Sequence, residues 1–250
     1  MRGRYPAPSG IGFSFGPGGI TPAIKILIAA NVVAFVLAWL LRGTVPIVEI
    51  FGLRTSDMFG GALWQPLTYM FLHGGLGHIL FNMLALWMFG VELERMWGSR
   101  FFLKYYFVCG VGAAATTILL SLLPISTFDH LRAALTVGAS GAIYGVLLAY
   151  ALYFPNRPIY IYFVFPVPAK YFVMIMGGIT LLSSMSAGDG VAHTTHLGGL
   201  VVGYFYLKGA RLHLLSELQY RFLKWRINRM RRKFDVYSGG RANDVDRRVH

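Results

Sequence analysis

The sequence is short of cysteine and of acid, and each shortage excludes something. It holds one cysteine, Cys109, within an apolar stretch, so it can form no intramolecular disulfide and no cysteine-based metal cage. Only 10 of its 250 residues are Asp or Glu, and 13% of the chain is charged, against about 25% in an ordinary soluble domain. That leaves too little polar surface to clothe a soluble globule. HExxH is absent, and Asp189 is the one carboxylate that accompanies the histidines of the apolar regions. A metallohydrolase reading is therefore poorly supported, and so is a proton-relaying transporter, which also lacks an inverted repeat here. The first twenty residues, rich in Gly and Pro, have no compact apolar core, so they do not read as a cleavable signal peptide and the run that follows is expected to stay as an anchor.

What the chain has instead is apolar length. Hydrophobic residues make up 56% of it. A span needs roughly 20 apolar residues, and six candidates appear: Ile24–Leu41, Gly77–Leu93, Phe101–Leu123, Thr136–Phe154, Ala169–Met185 and Val191–Lys208. The expected architecture is an all-α polytopic membrane protein of six transmembrane helices. The net charge of +13 is uneven, with eleven Lys/Arg and four Asp/Glu in residues 209–250. With the even-numbered loops also the more basic, the positive-inside rule puts both termini in the cytoplasm. Residues 1–20 read as a flexible cytoplasmic segment, 21–208 as the six-span domain, 209–234 as a basic amphipathic helix on anionic lipid, and 235–250 as a disordered tail. Nucleic acid is not expected as a partner. The first loop, Arg42 to Leu76, is too apolar for a solvated tether and is expected to fold back onto the bundle or into the interface.

This orientation starts spans two, four and six on the outer side, and brings polar residues of all three to a similar depth. In "TVGASGAIYG", Ser140 stands among Gly138, Gly141 and Gly145, which fit a small-residue packing face. In "AHTTHLGGLVVG", His196 precedes Gly199 and Gly203, a second GxxxG. Taken alone, each is explained by helix packing. If the two glycine faces meet, the serine and histidine come within reach, and a histidine can take a serine proton and return it to a leaving amine. No acid sits at that depth, so the pair would be a dyad. In "HGGLGHILFN", His78 and Asn82 share a helix face and could donate hydrogen bonds toward a developing oxyanion, or simply to each other's surroundings. His73 could order water or cap the helix, and the part played by His193 is open.

Together "HGGLGHILFNMLALWMFG", "LERMWGS", "GASGAIYG" and "AHTTHLGG" resemble the rhomboid intramembrane serine proteases, in that family's order, from about Trp64 to Gly203. The resemblance implies Ser140 as nucleophile, His196 as its general base, and His78, Asn82 and the Ser140 N–H as the oxyanion site. It implies that Tyr144 stacks on the catalytic histidine, that Gly199 is a close-packing glycine, and that His73 lines a polar cavity. It also implies a membrane-embedded first loop, and a fifth span covering a lateral substrate route. No metal or cofactor is implied. The expected activity is endoproteolysis of single-span membrane proteins in a membrane, with a prokaryotic plasma membrane suggested by the minimal layout. A catalytically silent relative that binds client helices is the alternative. Gln65 departs from the family, which very often has Arg there, and puts one first-loop contact in doubt.

Overall fold

The computed structural model describes residues 16–161, 164–184, 190–211, 223–225 and 229. They form helices and one small hairpin. Helix α1 is Pro22–Leu40, followed by three short helices, α2 (Ile47–Phe51), α3 (Thr55–Phe59) and α4 (Gln65–Thr68). Long helices α5 (Leu76–Trp97) and α6 (Ser99–Ser121) come next, then α7 (Ser140–Tyr153), the antiparallel strands β1 (Pro158–Ile161) and β2 (Phe165–Pro168), α8 (Ala169–Ser184) and α9 (Gly190–Arg211). By length and composition α1, α5 and α6 are able to cross a membrane, and α7 and α8 are shorter apolar helices. Most of the expected amphipathic helix and all of the 235–250 tail fall outside the described residues. Lys208–His250 counts as a separate unit, in which the Arg229 guanidinium lies 5.3 Å from the centre of the Trp225 ring.

One buried carboxylate ties α1, α5 and α6 together. Glu94, in the last turns of α5, accepts from the N–H groups of Ala23 (2.8 Å) and Ile24 (3.0 Å), from the Thr21 hydroxyl, and from Ser99 Oγ (2.6 Å). Those N–H groups belong to the first turn of α1, which has no helical acceptor for them and carries Pro22 at its start. The same carboxylate holds the first residue of α6 after the sharp break at Gly98, where φ is 77°. Just before α1, the carbonyls of Pro17 and Gly19 accept from Arg95, and that of Gly18 from Trp87, so the end of the N-terminal segment is tied to α5.

The fourth apolar run begins its helix later than its sequence suggests. Thr136 pairs through its backbone with Leu53 (2.8 and 2.9 Å), and the Gly138 N–H donates to the Tyr69 carbonyl (2.9 Å). Gly138 has φ of +126°, and helix begins at Ser140. Thr136–Ala139 are thus a bridge and a turn, and Gly138 does not lie on a helical packing face. At 1.5 Å per residue α7 is about 21 Å long, short of a bilayer core of about 30 Å. It is buried along most of its length, against α5, α6 and α8.

The first loop folds back, as its composition suggests. Leu53, Thr55, Gln65, Tyr69, Met70 and Leu72 are buried. Tyr69 donates to the Gly110 carbonyl on α6 (2.7 Å). Gln65 makes its own first-loop contacts: Oε1 accepts from the Arg54 N–H at 3.0 Å, and its amide reaches the Ile50 carbonyl at 3.4 Å. The β1–β2 hairpin is an addition that sequence reading passed over, since four residues of "PIYI" and "FPVP" are too few to show a period.

Helices α7 and α9 approach backbone to backbone. A methyl at Gly199 would be driven into the Gly141 carbonyl, and one at Gly203 would meet the Gly145 Cα at 3.2 Å and the Tyr105 hydroxyl at 2.6 Å. The pairing of the two GxxxG faces is therefore present.

Two stability outcomes follow. Glu94→Ala leaves the α1 N–H groups buried without an acceptor and should cost about 3 kcal/mol, read as earlier unfolding in detergent; an unchanged transition would mean Glu94 is not the tie. Gly199→Ala should cost about 1–3 kcal/mol by overpacking, whereas Gly178→Ala, with nothing within 4 Å, should be close to neutral.

Candidate active site

The site is built at the start of α7. Ser140 is its first residue, so its N–H and those that follow in the first turn have no carbonyl one turn back to bond; the first helical bond into the preceding turn is Ile143 N–H to Ala139. The turn that delivers Ser140 requires glycine at 138 twice over. Its φ is in the region L residues avoid, and a Cβ there would sit 2.7 Å from His78 Nε2. Gly138 thus lets the His78 ring close over the approach to Ser140. Its supporting place, read from sequence as packing, is a turn and a close approach.

Across the glycine interface, His196 Nε2 lies 2.7 Å from Ser140 Oγ, a hydrogen bond between α9 and α7. Tyr144, one turn beyond Ser140, stacks on the His196 ring with centroids 4.4 Å apart and planes 5° from parallel. The ring is thus held by the Ser140 hydroxyl at its edge and by Tyr144 on its face, and among the described residues no carboxylate bonds it. Next to it on α9, Thr195 is buried and shares a 2.8 Å hydrogen bond with Thr117 of α6, which holds the helix at this level.

His78 and Asn82 stand one turn apart at the start of α5. His78 Nδ1 accepts from the Gly74 N–H at 3.3 Å, which makes Nε2 the protonated nitrogen of the neutral ring, on the side that faces Gly138. Asn82 is buried, and its amide nitrogen has no hydrogen-bond partner among the described residues. A buried donor left open is costly unless a ligand or water takes it. His73, in the loop before α5, is 6% exposed and meets the His78 ring edge-on at 5.0 Å. Burial, with His78 beside it, pushes its imidazole down to about 4, so it is neutral at ordinary pH. His193 lies one turn before His196, ring centroids 6.2 Å apart. Among the described residues no group of three or more His, Cys, Asp or Glu converges as metal ligands do.

The arrangement can activate a hydroxyl beside unfilled hydrogen-bond donors, which is the equipment of acyl transfer. Sequence reading passed over Thr180 and the Thr117–Thr195 pair. Single threonines inside apolar runs give no periodic or motif signal.

Residues 60–211 match the family model of the rhomboid domain. Over 164 residues the chain is 33% identical to the rhomboid protease GluP of Bacillus subtilis, covering 62% of this chain and 28% of that protein. Over 154 residues it is 30% identical to the rhomboid protease AarA of Providencia stuartii, covering 57% of this chain and 54% of that one. The mitochondrial RHOMBOID-like protein 12 of Arabidopsis thaliana is 27% identical over 184 residues, 70% of this chain and 54% of its own length. The chain thus spans about half, or less, of these relatives. With the domain match covering more than half of an apolar helical bundle, the chain belongs to the rhomboid family of integral membrane proteins.

Proposed function

We propose that this protein is an intramembrane serine endopeptidase that cleaves a transmembrane segment of a client protein, with Ser140 and His196 as a dyad. The observation that carries the reading is the 2.7 Å bond between Ser140 Oγ and His196 Nε2. The names of its bacterial relatives as proteases support it. As Ser140 Oγ attacks the scissile carbonyl, its proton passes to His196 Nε2. The carbonyl oxygen becomes an oxyanion, met by His78 Nε2–H, the Asn82 amide and the Ser140 N–H at the positive end of α7. Collapse of the intermediate expels the amine, which takes the proton from His196 and leaves an acyl serine. Water, deprotonated by His196 in turn, releases the acid and restores the hydroxyl.

The site lies among apolar helices, so the reaction needs a substrate whose backbone can leave its own helix. Small or helix-breaking residues near the outer edge of a single span meet that requirement. The full reading includes six spans, with α7, α8 and α9 added to α1, α5 and α6, both termini in the cytoplasm, and a basic tail on anionic lipid. The membrane we propose is a prokaryotic plasma membrane, which agrees with the bacterial relatives, whereas the Arabidopsis thaliana relative is mitochondrial.

Ser140→Ala and His196→Ala should each abolish cleavage of a single-span reporter by the purified protein while its unfolding transition stays in place. Ser140 should also react with a fluorophosphonate probe. Full cleavage by Ser140→Ala would overturn the proposal, and a folded wild type inert to both probe and reporter would favour a silent, helix-binding relative. Loss of one oxyanion donor, by Asn82→Ala or His78→Ala, should slow turnover about 100- to 1,000-fold; unchanged kcat in both would remove them from the oxyanion site.

A further inference from the structure

Helix α8 is mostly exposed: Met174, Ile175, Ile179 and Leu182 are each more than half accessible. Among its apolar residues one hydroxyl is buried. Thr180 is 2% exposed, and its Oγ1 contacts two oxygens, the Met176 carbonyl one turn back at 2.7 Å and the Tyr144 hydroxyl at 3.0 Å. A threonine has one proton to give, and a carbonyl can only accept. The Thr180 proton therefore goes to Met176, and Thr180 accepts from Tyr144. Tyr144 is then held at both ends, by its Cβ on α7 and by its hydroxyl on α8, with its face against His196.

We infer that Thr180 is a positioning residue for His196, acting through Tyr144, so that the seating of α8 is felt at the catalytic pair. This rests on the proposed serine chemistry. In a serine–histidine–acid triad a carboxylate bonds the far side of the imidazole and sets its orientation. Among the described residues no carboxylate bonds His196; the Ser140 hydroxyl meets one edge of the ring and Tyr144 is stacked on its face, and a stack resists tilting better than sliding. The Thr180 bond removes the slide by fixing the far end of the tyrosine. An apolar isostere would fill the same space, so shape alone gives no reason for a hydroxyl at this point of α8.

The test uses the full chain in detergent, with two readouts: the rate of Ser140 labelling by a fluorophosphonate, which needs no transmembrane substrate, and cleavage of a single-span reporter. Thr180→Val should slow labelling and lower kcat about five- to tenfold, the worth of one buried hydrogen bond, with KM unchanged. Thr180→Ser, which keeps the hydroxyl, should restore both. Tyr144→Phe keeps the stacked ring and loses the bond, so it should match Thr180→Val, and the double variant should lose no more than either. Tyr144→Phe also gives the answer should Thr180→Val fail to fold. Labelling at the wild-type rate in Tyr144→Phe, loss in Thr180→Ser equal to that in Thr180→Val, or a change in KM alone would overturn the inference while leaving the dyad intact. A wild type that neither labels nor cleaves would overturn the dyad and the inference with it.

Discussion

The closest constraint in the molecule is the absence of any side chain between Gly199 and the Gly141 carbonyl. Helix axes normally lie 8–10 Å apart because side chains keep them there. Glycine lets α7 and α9 meet along their backbones, and Ser140, beside Gly141, and His196, one turn before Gly199, are carried to 2.7 Å by that contact. The distance between the two groups is thus set by rigid elements, and neither side chain has to reach. Further along, Tyr105 ties α6 to α7 beside this interface, donating to the Gly145 carbonyl at 2.7 Å. Packing and chemistry share one surface, and a change to either is a change to both.

The second determinant is where α7 begins. An apolar run that stayed helical from Thr136 would put Ser140 in mid-helix, with its N–H bonded to the carbonyl of Thr136. Instead Thr136 pairs with Leu53 and Gly138 bonds Tyr69, both in the folded first loop. Those bonds consume the backbone groups of the turn and leave Ser140 at a helix N-terminus, where open N–H groups and the helix dipole favour negative charge. The first loop, which holds neither Ser140 nor His196, therefore decides whether the serine stands at the start of the helix. Gln65 matters in this light. It is 1% exposed and spends its amide on the Arg54 N–H and the Ile50 carbonyl, keeping the loop closed.

What could be read from the sequence depended on the period of the signal. The long helices announce themselves because twenty apolar residues outweigh any local detail, and α1, α5 and α6 begin and end within a few residues of the expected bounds. Ser140, His196 and the glycines were legible as a set because small residues four apart imply a contact, and the contact brings the polar residues together. The start of α7 was not legible. Thr136 to Ala139 is as apolar and small as the helix that follows, and only the partners at Leu53 and Tyr69, some seventy to eighty residues away in sequence, stop it from being helical. Glu94 was hidden for a related reason. It looks like one of several charges near a helix end, and its four bonds to Thr21, Ala23, Ile24 and Ser99 depend on how α1 returns to α5.

Several polar residues inside this bundle close on one another. Each buried hydroxyl or carboxylate that joins two helices spends its bonding capacity on neighbours: Glu94 on the ends of α1 and α6, Thr117 on Thr195, Tyr69 on Gly110, Tyr105 on Gly145. In an apolar interior an unmet group is expensive, so such bonds fix the helices at one setting. Asn82 does not join two helices in this way. Its amide is buried and unspent, on the same face of α5 as His78, whose protonated nitrogen is turned toward the Ser140 turn. What sets this open donor apart from other unpaired buried groups, such as the hydroxyls of Thr55 and Thr136, is its place beside a hydrogen-bonded serine and histidine, and that place is what the proposed oxyanion role rests on, since a carbonyl oxygen that gains charge would fill it.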